Sequence, residues 1–141
     1  MISTILILDF GSQVTQLIAR RIRESGVFCE VHPFNCAKTV PKSLNPKGII
    51  LSGGPASVFS DNAPDFDKEI MNINIPILGI CYGLQLLVHH SGGTVDSTGE
   101  GEYGFATIQT VTKNGITKNM SSSSKVWMSH MDQVTMVPDH W

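Results

Sequence analysis

Three of the chain's apolar runs constrain its fold more than any other feature. They are Ile5-Leu6-Ile7-Leu8, Gly48-Ile49-Ile50-Leu51-Ser52 and Pro76-Ile77-Leu78-Gly79-Ile80, and each runs straight into a turn that contains glycine. A strand with one face in water alternates apolar and polar residues. A run without that alternation is buried on both faces, as in a parallel sheet. Between the first run and Gly26, residues Val14, Leu17, Ile18 and Ile22 share one helical face, with Arg20, Arg21 and Arg23 on or near the other sides. Gly26 then reads as the C′ glycine of that helix. Val27–Val31 is predicted as the second strand. Residues 36–46 carry a weak helical signal bounded by Pro41 and Pro46, and a short helix is predicted from Pro64 to Met71, capped by Asp61 or Asn62. Gly83–His90 reads as an apolar helix closed by Gly92-Gly93. The β-α-β alternation predicts an α/β, doubly wound, mostly parallel sheet with helices on both faces and right-handed crossovers.

After Gly93 the rhythm changes. Phe105–Thr112, Val126–Met128 and Val134–Val137 read as strands without helices between them, and Ser121–Ser124 as a loop. The second half is expected to be β-rich, an antiparallel extension of the sheet. At 141 residues the chain is expected to form one domain over 1–141. It can bury about two-thirds of its unfolded surface, enough for a core without metal or disulfides.

Ten basic against twelve acidic residues leave a net charge of −2, which offers no electrostatic footprint for nucleic acid or an anionic membrane. No stretch approaches the ~20 apolar residues of a membrane span. Cys29, Cys36 and Cys81 cannot pair evenly, and no Cys/His cluster has zinc spacing, so no metal is expected. The beginning of the chain lacks a basic leader, so a cytoplasmic setting with free thiols is expected.

The strongest chemical signal is Gly79-Ile80-Cys81-Tyr82-Gly83, which ends an apolar strand and opens an apolar helix. A nucleophile elbow requires that strand–turn–helix context, here with Cys in place of Ser. Cys81 would sit at a helix N-terminus, where the macrodipole stabilises negative charge. The alternative reading is a buried, inert cysteine on a glycine-flanked turn. Acyl transfer also needs an oxyanion hole. One donor is expected from the backbone N–H of Tyr82, and a second from a loop ending a neighbouring strand. Ser52-Gly53-Gly54-Pro55 is such a loop, although alone it reads as an ordinary tight turn.

Other apparent motifs fail on context. Gly99-Glu100-Gly101-Glu102-Tyr103-Gly104 matches a dinucleotide fingerprint, but it precedes a strand and carries two glutamates that would repel phosphate. Asp9-Phe10-Gly11 lacks the other segments of a kinase. His89-His90 would lie about 12 Å along the helix from Cys81, too far for a base.

The segment Gly79-Ile-Cys-Tyr-Gly-Leu-Gln85 resembles the nucleophile segment of the class I (triad-type) glutamine amidotransferases, and Ser52-Gly-Gly-Pro55 resembles their oxyanion loop. Ile5–Gln13, Thr15–Arg23, Gly26–Glu30 and Val126-Trp-Met-Ser-His130 are similar to the N-terminal glutaminase domain of the GMP synthetase branch. The resemblance spans essentially the whole chain and implies a three-layer, flavodoxin-like fold. It implies that Cys81 attacks the side-chain amide of glutamine and forms a thioester, with oxyanion donors from the Gly54 and Tyr82 N–H groups. Gly53, Gln85, Ser129 and His130 match positions expected to line the glutamine pocket. The ammonia would pass to an ATP-pyrophosphatase (synthetase) domain, on the same or a partner chain, that aminates XMP to GMP. ATP and Mg would belong to that domain, and no cofactor to this one.

The family's base is a His followed two residues later by Glu, and no His-x-Glu occurs in this sequence. The resemblance therefore implies a domain incomplete at its C-terminus, with little or no turnover alone and with self-association through uncovered apolar surface. Position 131, usually Gly, is Met, which would crowd the pocket; Gly101 stands where relatives carry a larger residue. His130 and Asp132 imitate a base and its orienting acid, but the family uses this loop for binding. His32 and His140 are weaker candidates. Two other readings stay open: a non-catalytic glutamine-binding or vestigial fragment, and another Cys-elbow α/β enzyme or chaperone-like protein.

Overall fold

A computed structural model describes residues 4–39, 44–139 and 141. Pro41, one expected helix boundary, and His140, one candidate base, lie outside the described residues. The first 95 residues, with 134–141, make one compact unit; residues 96–133 make a second.

The first unit is built on four parallel strands, β1 (Thr4–Asp9), β2 (Phe28–Pro33), β3 (Gly48–Leu51) and β4 (Ile77–Gly79), in the order β2-β1-β3-β4. The chain steps outward from β1 to β2, then returns to the other side of β1 for β3. That reversal is a topological switch point, where open α/β sheets place their ligands outside the strands' carboxyl ends.

Alternate residues of the strands face two different cores, which is why Ile5–Leu8 and Ile49–Leu51 carry no polar residue. Leu6, Leu8, Ile49 and Leu51 meet Tyr82, Leu86 and Leu87 of helix α2 (Tyr82–His90), together with Phe66 and Ile70. On the other face Ile5, Ile7, Cys29, Val31 and Ile50 pack with Ile18, Ala19 and Ile22 of helix α1 (Thr15–Glu24). Gly26 adopts φ 77, the left-handed conformation expected just past the helix end. The doubly wound α/β reading therefore holds.

Some local expectations need correction. The helix predicted from Pro64 to Met71 is a 3-10 segment over Lys68–Asn72, capped by Asp67, whose carboxylate accepts from the Glu69 N–H at 3.1 Å. Pro64, and the self-capped turn of Asp65 onto the Phe66 N–H, keep the preceding residues out of a helix. The weak helix over 36–46 is a 3-10 segment, Phe34–Thr39.

The later strands are longer than expected and form a sheet of their own. Among the described residues, β5 (Thr94–Gln109) pairs only with β6 (Ser123–Met136). Gln109 bonds to Ser123, the Phe105 ring meets Trp127, and Glu102 meets His130, so the strands run antiparallel. The pair is thus a separate hairpin rather than an extension of the parallel sheet. The expected loop at Ser121–Ser124 gives way to strand at Ser123, and the short run Val134–Val137 is mostly the end of β6. Gly99-to-Gly104 lies inside β5, with φ 75 at Gly99 and 108 at Gly104.

Candidate active site

Cys81 joins β4 to α2 with φ 49 and ψ −113. Positive φ is uncommon for a residue with a Cβ and persists only where the surroundings hold it. Glycines on both sides make the turn feasible. A Cβ on Gly83 would collide with the Leu51 carbonyl oxygen, and one on Gly79 would lie 2.5 Å from the Leu84 Cα. Backbone hydrogen bonds then lock the corner: Ile80 N–H to the Leu51 carbonyl (3.0 Å), Gly83 N–H to Ser52 (3.1 Å) and Gln85 N–H to Cys81 (3.0 Å). The thiol is left exposed. Cys29 is fully buried, and burial pushes the Cys36 thiol up. Cys81 is therefore an exposed cysteine at positive φ on a strand-to-helix corner, not a buried one.

The Ser52–Pro55 loop leaves β3 beside it. A Cβ added to Gly53 would stand 3.4 Å from the Cys81 Cβ, so this backbone lies against Cys81. Gly54 is fixed from the other side, where a Cβ would lie 2.5 Å from the Phe10 carbonyl oxygen. The buried Ser52 hydroxyl accepts from the Phe10 N–H at 3.0 Å and donates to the Gly53 carbonyl at 2.9 Å. This hydroxyl ties the loops after β1 and β3 together. The sequence motif contains Ser52 without disclosing that role.

Tyr82 carries its N–H at the start of α2, while its side chain anchors the corner. The phenol donates to the Pro64 carbonyl at 2.5 Å and the ring packs 5.5 Å from Phe10. Burial, with a smaller contribution from the Asp65 carboxylate, pushes the phenol up to about 12. Asp65 also holds His90, 2.7 Å from Nε2, and the imidazole stands edge-on to Phe66. His90 thus ties the end of α2 to the preceding loop.

Gln85 is buried one turn after Cys81. Ser129 and His130 lie on β6, in the second unit. There the His130 Nδ1 is 3.0 Å from the Asp132 backbone carbonyl, and its Nε2 is 3.1 Å from the Glu102 carboxylate. His130 thus meets Glu102 through that residue's side chain and Asp132 through its backbone carbonyl. Of the two odd residues, Met131 sets its sulfur 2.8 Å from where a Gly101 Cβ would be. The Tyr103 ring and the His130 carbonyl oxygen, 2.5 and 2.7 Å from the same point, share that space with the sulfur. His32 pairs with Glu30 at 2.9 Å. Among the described residues, no side chain hydrogen-bonds the Cys81 sulfur.

The family model for glutamine amidotransferase class-I matches residues 6–141. The chain belongs to the class-I glutamine amidotransferases. This amidotransferase chain is 55% identical over 134 residues to the GMP synthase (glutamine-hydrolyzing) of Campylobacter jejuni strain RM1221, covering 95% of itself and 26% of that protein. Against the enzyme of the same name from Brachyspira hyodysenteriae it is 49% identical over 138 residues, 98% of this chain and 27% of the relative. It therefore spans about a quarter of the length of these relatives. Among solved structures, a protein of Thermoplasma acidophilum described as a GMP synthase subunit superposes with a TM-score of 0.84 at 30% identity, over 99% of this chain and 70% of that one. A glutamine amidotransferase of Thermotoga maritima shares the fold, with a TM-score of 0.80 at 21% identity, over 99% of this amidotransferase chain and 64% of that one.

Proposed function

We propose that this chain is a glutaminase domain of the GMP synthase type, with Cys81 as the nucleophile. The observation that carries the reading is the exposed thiol at positive φ, against the Gly53 backbone on the strand-to-helix corner. The thiolate adds to the side-chain amide carbon of glutamine. The developing oxyanion takes hydrogen bonds from the Gly54 and Tyr82 N–H groups. The C–N bond then breaks, ammonia leaves with an added proton, and a γ-glutamyl thioester stays on Cys81. Water attacks the thioester, glutamate departs and the thiol is restored. Gly53 and Gln85 line the glutamine pocket. Each oxyanion donor of this kind is worth about 10²–10³ in turnover.

The ammonia goes to an ATP-pyrophosphatase domain that aminates XMP to GMP, in keeping with relatives that are about four times as long. The chemistry sets the expectation for this chain alone. Proton transfer to the leaving nitrogen needs an acid, and no described side chain bonds to the sulfur to receive and relay the proton. Loss of ammonia and attack by water then both proceed without a side-chain acid or base, so acylation and turnover by the isolated chain are slow and the thioester builds up only over a long incubation. Incubation with glutamine, acid quench and peptide mass spectrometry should find a γ-glutamyl group on the Cys81 peptide and none after Cys81→Ala. An adduct on Cys36, or none on any cysteine, overturns the reading.

A further inference from the structure

The turn after β1 brings to Cys81 a hydroxyl that the sequence motifs leave unassigned. Ser12 is half-buried, and its Oγ lies 3.7 Å from the point where a Gly53 Cβ would stand. That same point is 3.4 Å from the Cys81 Cβ, so Ser12 Oγ and Cys81 Cβ are at most about 7 Å apart. A thioester-forming carbon on the sulfur, with its oxygen and one hydrogen bond of about 2.7 Å, spans such a gap. The hydroxyl is also oriented. It accepts from the Val14 N–H at 3.1 Å, which commits a lone pair to its own loop. Its hydrogen has no acceptor among the described residues. The loop itself is fixed, because the Asp9 carboxylate takes hydrogen bonds from the Gly11 N–H (2.9 Å) and the Thr15 hydroxyl (2.8 Å).

We propose that Ser12 is a substrate-positioning residue, its hydroxyl donating to the glutamine amide oxygen as the Cys81 thiolate adds to it. The inference rests on the glutaminase reading, and it assigns to the β1 turn a third donor beside the two backbone groups. Donors aimed at the position where charge develops act selectively on the addition step.

The test compares two alkylators on the 141-residue chain. A glutamine analogue with a chloroketone in place of the amide offers its carbonyl oxygen to the site; iodoacetamide reports the thiol alone. Ser12→Ala should slow chloroketone labelling of Cys81 by about tenfold or more, with the iodoacetamide rate and the melting temperature unchanged. Ser12→Thr keeps both the acceptor and the donor and should restore the rate to within about threefold. Wild-type labelling of Cys81 with Ser12→Ala equally fast overturns this inference alone, as do equal losses in Ser12→Ala and Ser12→Thr. A wild-type chain whose Cys81 ignores the chloroketone overturns the glutaminase reading and this inference with it.

Discussion

At the scale of single residues, the site depends on buried polar atoms that each meet more than one need. The Ser52 hydroxyl is the acceptor for the Phe10 N–H and the donor to Gly53. Ser52→Ala leaves a buried N–H unpaired and should cost about 1–3 kcal/mol in urea unfolding, with Cys81 labelling slowed as the Gly53 loop loosens. Tyr82 gives a pH signature. An unfolded phenol ionises near 10, whereas the folded one is pushed up to about 12. The folded state holds its proton longer, so this contribution to stability is whole below pH 10 and is lost as pH rises toward 12. Tyr82→Phe should flatten the fall in unfolding free energy across that window. An unchanged slope would show that the phenol is not its source. These details were only partly legible in the sequence. Cys81 could be singled out because elbow chemistry demands glycines at fixed offsets, and those leave a pattern. Ser52, Asp65 and Glu102 could not, since a side chain bonded across strands or loops leaves no spacing to read.

At the scale of elements, close backbone contacts decide which substitutions the corner and the hairpin tolerate. Gly83 lies on the Leu51 carbonyl with no room for a methyl group. Gly83→Ala must push α2 away from β3, and it should destabilise the chain by about 1–3 kcal/mol or more while abolishing thioester formation. On the hairpin, a Cβ at Gly101 would stand 2.8 Å from the Met131 sulfur and 2.7 Å from the His130 carbonyl oxygen. Gly101→Ala should therefore be costly, and less so in a Met131→Gly background, with a coupling energy of about 0.5–3 kcal/mol in a double-mutant cycle. Strict additivity would contradict this packing. The parallel strands were legible because both their faces are buried and apolar. The extent of β5 and β6 was not, because exposed strands carry Ser, Thr, Glu and Lys and look like loops. Two glycines at positive φ inside β5 break its pattern further.

At the scale of the whole molecule, the chain divides into a layered unit and a hairpin, which should differ in local stability. Two strands alone are marginal, whereas four strands between two helices are not. Amides in β1 and β3 should exchange slowly with deuterium, and those of residues 96–133 orders of magnitude faster; equal protection would contradict the division. Leu78, Phe105 and Trp127 expose 40%, 84% and 66% of their surface, an apolar display that favours association. Light scattering should show it as concentration-dependent mass. The most direct test is to map modification by a glutamine-analogue alkylator over the three cysteines, with and without free glutamine. Labelling confined to Cys81 and suppressed by glutamine is the expected result; labelling spread over Cys29, Cys36 and Cys81, indifferent to glutamine, would contradict a nucleophile at that corner.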